Sequence, residues 1–128
     1  SASPSTPGGQ GSRRVYTKSE QSRAAKNFEA GKKAKARGDR KKAISLFRKA
    51  AELGNAPAQY AMGMAYRYGR LVEEDKEESV RWFRLGAEQN HAPSAHELGY
   101  AYLLGWGVPI SDSESGKWFR LAEAHGLS

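Results

Sequence analysis

Apolar side chains recur along this chain at helical spacing, and the arrangement itself recurs. Met62, Gly63 and Tyr66 fall on one stripe of a helix predicted from about Pro57 to Tyr68. Its start is a proline that the first turn tolerates, and its end is Gly69, suited to a left-handed stop. A second helix is predicted from about Glu77 to Glu88, with Trp82, Phe83 and Leu85 as apolar anchors. The same pair follows from Pro93 to Gly105 and from about Ser113 to Ala124, anchored by Trp118, Phe119 and Leu121; Asn90 and Gly126 mark the ends of the second helices. Small residues at Ala58, Ala61, Ala65 and Ala101, with Gly63 and Gly99, let another backbone approach closely, so each pair is expected to fold as an antiparallel hairpin.

The recurrence is literal. Residues 55–90 and 91–126 share 13 identities at an offset of 36, from Ala56-Pro57 and Ala92-Pro93 to Trp82-Phe83-Arg84-Leu85 and Trp118-Phe119-Arg120-Leu121; ordinary composition gives roughly two by chance. Self-similarity at this period is the mark of a helical repeat array. Upstream, Phe47-Arg48 lies 36 residues before Phe83-Arg84, with Ala43, Ala50 and Gly54 around it. Gly31 to Phe47 spans 16 residues where Gly63 to Phe83 spans 20, so the first unit has a shorter connection, turning at Gly38-Asp39.

Gly31, Ala43, Phe47 and Ala50 sit at tetratricopeptide-repeat spacings. Units two and three resemble Sel1-like repeats, through Ala56, Gln59-Tyr60, Met62-Gly63, Tyr66, Gly69, Val72, Trp82 and Ala87, and through Ala92, Leu98-Gly99, Tyr102, Gly105-Trp106-Gly107-Val108-Pro109 and Trp118. The resemblance implies an all-α fold: a right-handed α-solenoid of three antiparallel helix hairpins over residues 25–128, in units of about 25–54, 55–90 and 91–126. Leu71 and Glu73 stand where a glycine and a proline are expected, which predicts a less regular loop in unit two. Gly116 inside the last helix, and Ser79 and Ser115 where alanine is usual, are expected to weaken their hairpins, the glycine by up to about 1 kcal/mol.

With 128 residues and no cysteine, the chain relies on helix packing alone, and its redox compartment is left open. Residues 1–24 are rich in Ser, Pro and Gly and hold Val15 and Tyr16 as their sizeable apolar residues, so they read as a disordered tail. Residues 1–42 carry 12 Lys and Arg against 3 Asp and Glu, while residues 43–128 carry 9 against 11, so the net charge of +7 belongs to the tail and first hairpin. The stretch Lys32-Lys33, Lys35, Arg37 and Arg40-Lys41-Lys42 has two readings: a footprint for nucleic acid or an anionic surface, or the solvated face of a terminal repeat. The absence of interleaved aromatics favours the second.

Beside the packing stripe of each first helix runs another: Tyr60, Met64, Arg67 and Tyr68 in unit two, and His96, Tyr100, Leu103 and Leu104 in unit three. The resemblance implies that these positions line a concave groove, with Phe28, Lys32 and Lys35 as their counterparts in unit one. Such a groove grades from basic to aromatic and suits a protein or peptide partner carrying acidic and apolar residues. Against it stands burial of the stripe by the adjacent hairpin.

No catalytic, metal or cofactor site is predicted. His91, His96 and His125 lack metal-ligand spacing, and His91 reads as a helix cap or a satisfied surface histidine. Glu73-Glu74-Asp75 and Glu77-Glu78 lack calcium-loop spacing and read as favourable charge at a helix N-terminus. At the far end Trp106 and Trp118 are expected to be partly uncovered, leaving self-association through unit three open. The expected function is a non-catalytic adaptor binding a partner in the groove; the alternative is charge-driven binding through residues 13–42. The resemblance points to bacterial envelope, secretion and host-interaction proteins as well as eukaryotic adaptors.

Overall fold

The computed structural model describes residues 14–126, six helices and no strand among them. They are α1 (Lys18–Ala36), α2 (Arg40–Glu52), α3 (Ala56–Tyr68), α4 (Lys76–Glu88), α5 (Ala92–Leu104) and α6 (Asp112–Ala124). Each odd-numbered helix packs most closely on the even one after it, and each hairpin leans on the next through α2 with α3 and α4 with α5. The result is a solenoid of three hairpins, in which every unit is stabilised by its neighbours.

Local chemistry sets the ends. Asn55, Asp75 and Ser111 each accept a hydrogen bond from the amide three residues on, at 2.8, 3.1 and 3.1 Å, satisfying orphan donors of α3, α4 and α6. Glu77 and Glu78 lie in the first turn of α4, where the helix dipole favours them. Gly69 and Gly105 stop α3 and α5 in the left-handed conformation, at φ 66° and 73°. His91 occupies the cap position of α5 without capping a backbone amide; its Nδ1 instead lies 2.8 Å from Ser94 Oγ.

Two expectations change. Helix α1 begins at Lys18, within the span read as tail, because Thr17 and Glu20 form a reciprocal capping box there. Tyr16 joins the fold as well, its hydroxyl donating to the Glu52 carbonyl at 3.1 Å and its ring lying over Gly54. The tail expected over residues 1–13 lies outside the described residues. The unit-two loop is also more regular than its sequence suggests: Leu71 takes up φ 73°, close to the 80° of Gly107 at the equivalent place in unit three. Leucine holds a glycine's conformation there, at a cost of about 1 kcal/mol.

The core lies in two clusters, and adjacent residues of α4 divide between them. Trp82 packs with Phe47, Ala50, Ala58 and Met62 toward unit one, whereas Phe83 packs with Ala95, Leu98 and Trp106 toward unit three. Both are fully buried, each worth about 1.5–3 kcal/mol by area. Within hairpins, Gly31, Gly63 and Gly99 let the rings of Phe47, Phe83 and Phe119 lie against the first-helix backbone; a Cβ at Gly63 would stand 2.5 Å from Phe83. Ser79, expected to weaken its hairpin, instead ties it by donating to the Gly63 carbonyl at 2.8 Å.

Candidate functional site

The stripe that starts basic in α1 ends apolar in α5, and the structure shows how much of it each neighbour covers. Phe28 is half-buried against Phe47, ring centroids 5.7 Å apart, with the exposed Lys32 ammonium 5.0 Å from its centroid. Lys32 also pairs with Glu29 at 3.1 Å, and Lys35 is exposed. In α3, Tyr60 is half-buried between the rings of Phe83 and His91, Met64 packs on the second core cluster, and Arg67 stacks on Trp106 at 4.0 Å. Tyr68 is 48% exposed, flanked by the guanidinium groups of Arg67 and Arg70 at 5.0 and 5.2 Å.

In α5 the stripe is more open. Tyr100 and Leu103 are each 41% exposed and Leu104 is 60% exposed, while His96 is half-buried. His96, Tyr100 and Phe119 form a triangle of edge-on rings with centroids 4.9 to 5.6 Å apart. Aromatic and aliphatic side chains are thus displayed together on the surface of α5.

Trp106 and Trp118, expected to be partly uncovered, are buried instead. Trp118 faces back toward unit two, in the register of Trp82, and Trp106 is held by the edge of Phe83 at 6.1 Å and the Arg67 guanidinium. The aromatic that opens outward is Phe119, the repeat counterpart of the fully buried Phe83. Reading Trp118-Phe119 against Trp82-Phe83 gave no direction to either ring, and the offset alone could have identified Phe119 once the alternation along α4 was known.

Ile110, 67% exposed, and Glu97 were also missed. Glu97 is half-buried on α5, and burial pushes its carboxyl above the ordinary carboxylate range, opposed by the charges of His96 and Arg67. Tyr60 is raised chiefly by burial and secondarily by Glu97. Burial lowers His91, so its neutral form is favoured.

Nothing among the described residues assembles a reaction centre or a metal site: no three His, Asp or Glu side chains gather. An open cleft between units one and two is lined by Tyr16, Gln21, Asn55, Gln89 and apolar neighbours, with no nucleophile and base in reach of one another. No described helix is long and apolar enough to cross a membrane.

Comparison with known proteins agrees with this geometry. The Sel1 repeat family model matches three times, at residues 21–55, 56–91 and 92–127. The chain is similar to a protective antigen of uropathogenic Escherichia coli with an SLR fold, at 35% identity and TM-score 0.77, over 85% of this chain and 24% of that one. It is similar to a Sel1 repeat protein from Oxalobacter formigenes, at 32% identity and TM-score 0.76, over 86% of this chain and 45% of that one. Helicobacter pylori cysteine rich protein B, at 24% identity and TM-score 0.66 over 68% of this chain and 65% of that one, shares the fold. The chain therefore spans less than half the length of the first two, and no curated protein matches it. Sel1 repeats are non-catalytic scaffolds that mediate protein–protein interaction. Three matched repeats, six helices in three hairpins and the turn glycines at 69 and 105 place the chain in the Sel1 repeat family.

Proposed function

We propose that the chain is an adaptor that holds a peptide or protein partner in the concave groove of its first helices. The observation that carries this is the joint exposure of Tyr68, Tyr100, Leu103 and Leu104 on α3 and α5, beyond a basic end at Lys32 and Lys35. An acidic segment of the partner would lie toward α1 and an apolar segment toward α5. Tyr60, Met64 and Arg67 are half covered by unit three and form the floor rather than the contact surface.

Panning a displayed peptide library on the chain tests the reading. The expected result is a consensus combining acidic and apolar residues, with affinity reduced at least about tenfold by Tyr68→Ala with Leu104→Glu. Peptides indifferent to that pair, or none selected, would overturn it. The charge-driven alternative rests on the exposure of Lys33, Lys35, Arg37, Arg40, Lys41 and Lys42. It predicts nucleic-acid binding with a steep salt dependence, lost when those residues are neutralised.

A further inference from the structure

Most cations that lie against an aromatic ring in this chain are also held by a second contact. Arg14, Lys32 and Lys117 pair with Glu20, Glu29 and Glu114 at 2.9, 3.1 and 4.0 Å. Arg48 and Arg84 donate to the hydroxyls of Tyr66 and Tyr102 at 3.1 and 2.6 Å. Arg67 and Arg70 are the exceptions among the described residues. Both lie against Tyr68, and Arg67 also against Trp106, yet neither forms an ion pair with a described residue.

Stacking fixes a guanidinium by its face and leaves its edge free. Trp106 at 4.0 Å and Tyr68 at 5.0 Å hold Arg67 in this way, so its face belongs to the groove floor while its edge does not. Its Nε is buried without a hydrogen-bond partner, whereas its two terminal nitrogens are open to solvent. What is left to satisfy is one end of the fork, two parallel donors that match the two oxygens of a carboxylate. Arg70, exposed and 5.2 Å from the Tyr68 centroid, adds a second positive charge beside it.

The surroundings favour a small anion over a large one. Glu97, across the unit boundary, feels the Arg67 charge but forms no ion pair with it. Glu73 and Glu74 are exposed in the unit-two loop, and Glu74 lies against Gly69. These carboxylates disfavour a polyanion such as a nucleic-acid backbone, which would bring many charges past them. On α3, the pair also stands between the basic end of the groove at Lys35 and its apolar end at Leu104.

We infer that Arg67 and Arg70 read a single carboxylate of the partner, an Asp or Glu side chain whose apolar neighbour packs on Tyr68. This rests on the groove reading and names the group recognised at the middle of the groove.

Panning a library of random peptides on the full chain and on its Arg67→Gln variant, with helicity followed alongside, tests this. The unaltered chain should enrich a fixed acidic position beside an apolar one, and Arg67→Gln should keep the apolar preference and lose the acidic one. A peptide made to the first consensus should lose about tenfold in affinity when its acid is exchanged for the matching amide, a change that leaves the chain untouched. On Arg67→Gln that exchange should cost no more than about twofold, because the two changes remove one contact. Arg70→Gln, at an exposed position, should weaken the acidic peptide about threefold. Should Arg67→Gln lose helicity, Arg70→Gln and the amide peptide carry the test. An acidic preference that survives both substitutions, or an amide peptide that binds as well as the acid, overturns this subsite and leaves the groove standing. Phosphoserine at the acidic position binding more than about tenfold tighter overturns the carboxylate in favour of a phosphate. A library that yields no peptide overturns both readings.

Discussion

Helices α3–α4 and α5–α6 are two versions of one hairpin in different surroundings. Phe83 and Phe119 both lie across a glycine of their first helix, yet Phe83 is wholly buried and Phe119 only half so. The difference is supplied by the neighbour: Trp106, reaching from the unit-three loop, closes over Phe83. Burial in a repeat array is thus a property of position in the stack as much as of the hairpin's own residues.

The largest test of that comparison is to delete each ring. Phe83→Ala should cost about 3–5 kcal/mol, because the cavity it leaves is walled by two units. Phe119→Ala should cost about half as much, since solvent reaches part of the ring and little cavity remains. Chemical denaturation of both variants reads the gap; equal losses would mean that the neighbour contributes little. Trp106→Ala should approach the Phe83 value, because it uncovers Phe83 and Arg67 together.

A smaller effect probes the same contact from the other side. At Gly63 an added Cβ would stand 2.5 Å from Phe83, which Trp106 prevents from moving away. At Gly99 it would stand 2.8 Å from Phe119, whose outer side is open. Gly63→Ala should therefore cost about 1–3 kcal/mol from overpacking. Gly99→Ala should cost less, because the ring can yield and alanine favours the helix. Thermal unfolding of the two variants gives the order directly.

Much of this was legible in the repeats themselves. The helix limits followed from Pro57, Gly69, Pro93 and Gly105, whose backbone demands are local and do not depend on neighbours. The start of α1 was missed because the Thr17 to Glu20 capping box lies in a polar, basic stretch without an apolar period. The direction of each ring was missed for another reason. Apolar spacing shows that Trp118 and Phe119 are both anchors, whereas which of them meets a neighbour depends on the tilt of one hairpin against the next. For the same reason Arg67, read as a contact residue, proved to be committed to Trp106, while Tyr68 beside it remained exposed.

The loops offer a test of about 1 kcal/mol. Leu71 and Gly107 share a left-handed backbone, but a Cβ at Gly107 would lie 2.5 Å from the Lys76 carbonyl oxygen. Leu71→Gly should stabilise the chain by up to about 1 kcal/mol through relief of backbone strain, less whatever contacts the leucine makes. Gly107→Ala should destabilise it by more, since steric conflict adds to the backbone cost. Opposite signs from two loops of one conformation would show that unit two tolerates leucine only because nothing crowds it there.

The smallest effect concerns a carboxylate that α5 carries and α3 lacks. Glu97 stands where α3 has Ala61, facing Arg67 and Tyr60 across the unit boundary and His96 on its own helix. Burial raises its pKa in the folded chain above the ordinary carboxylate value, so the native state holds the proton more tightly than the unfolded state. Stability attributable to Glu97 is therefore present below the unfolded pKa and is lost as pH rises through the folded one. Glu97→Gln removes that loss, and at neutral pH it should stabilise the chain by about 0.5 kcal/mol, a small value because the half-exposed group is screened by solvent. The gain should vanish in acid below the unfolded pKa, where Glu97 is protonated in both states. His91, whose pKa burial lowers, acts in the opposite sense: its contribution is present above the unfolded value of about 6.5 and is lost as pH falls from there through the folded one. Unfolding curves for Glu97→Gln from pH 3.5 to 7 separate the two, because only the Glu97 contribution disappears from the variant. A gain that persists unchanged at the acid end would mean that Glu97 costs stability through its shape rather than its charge.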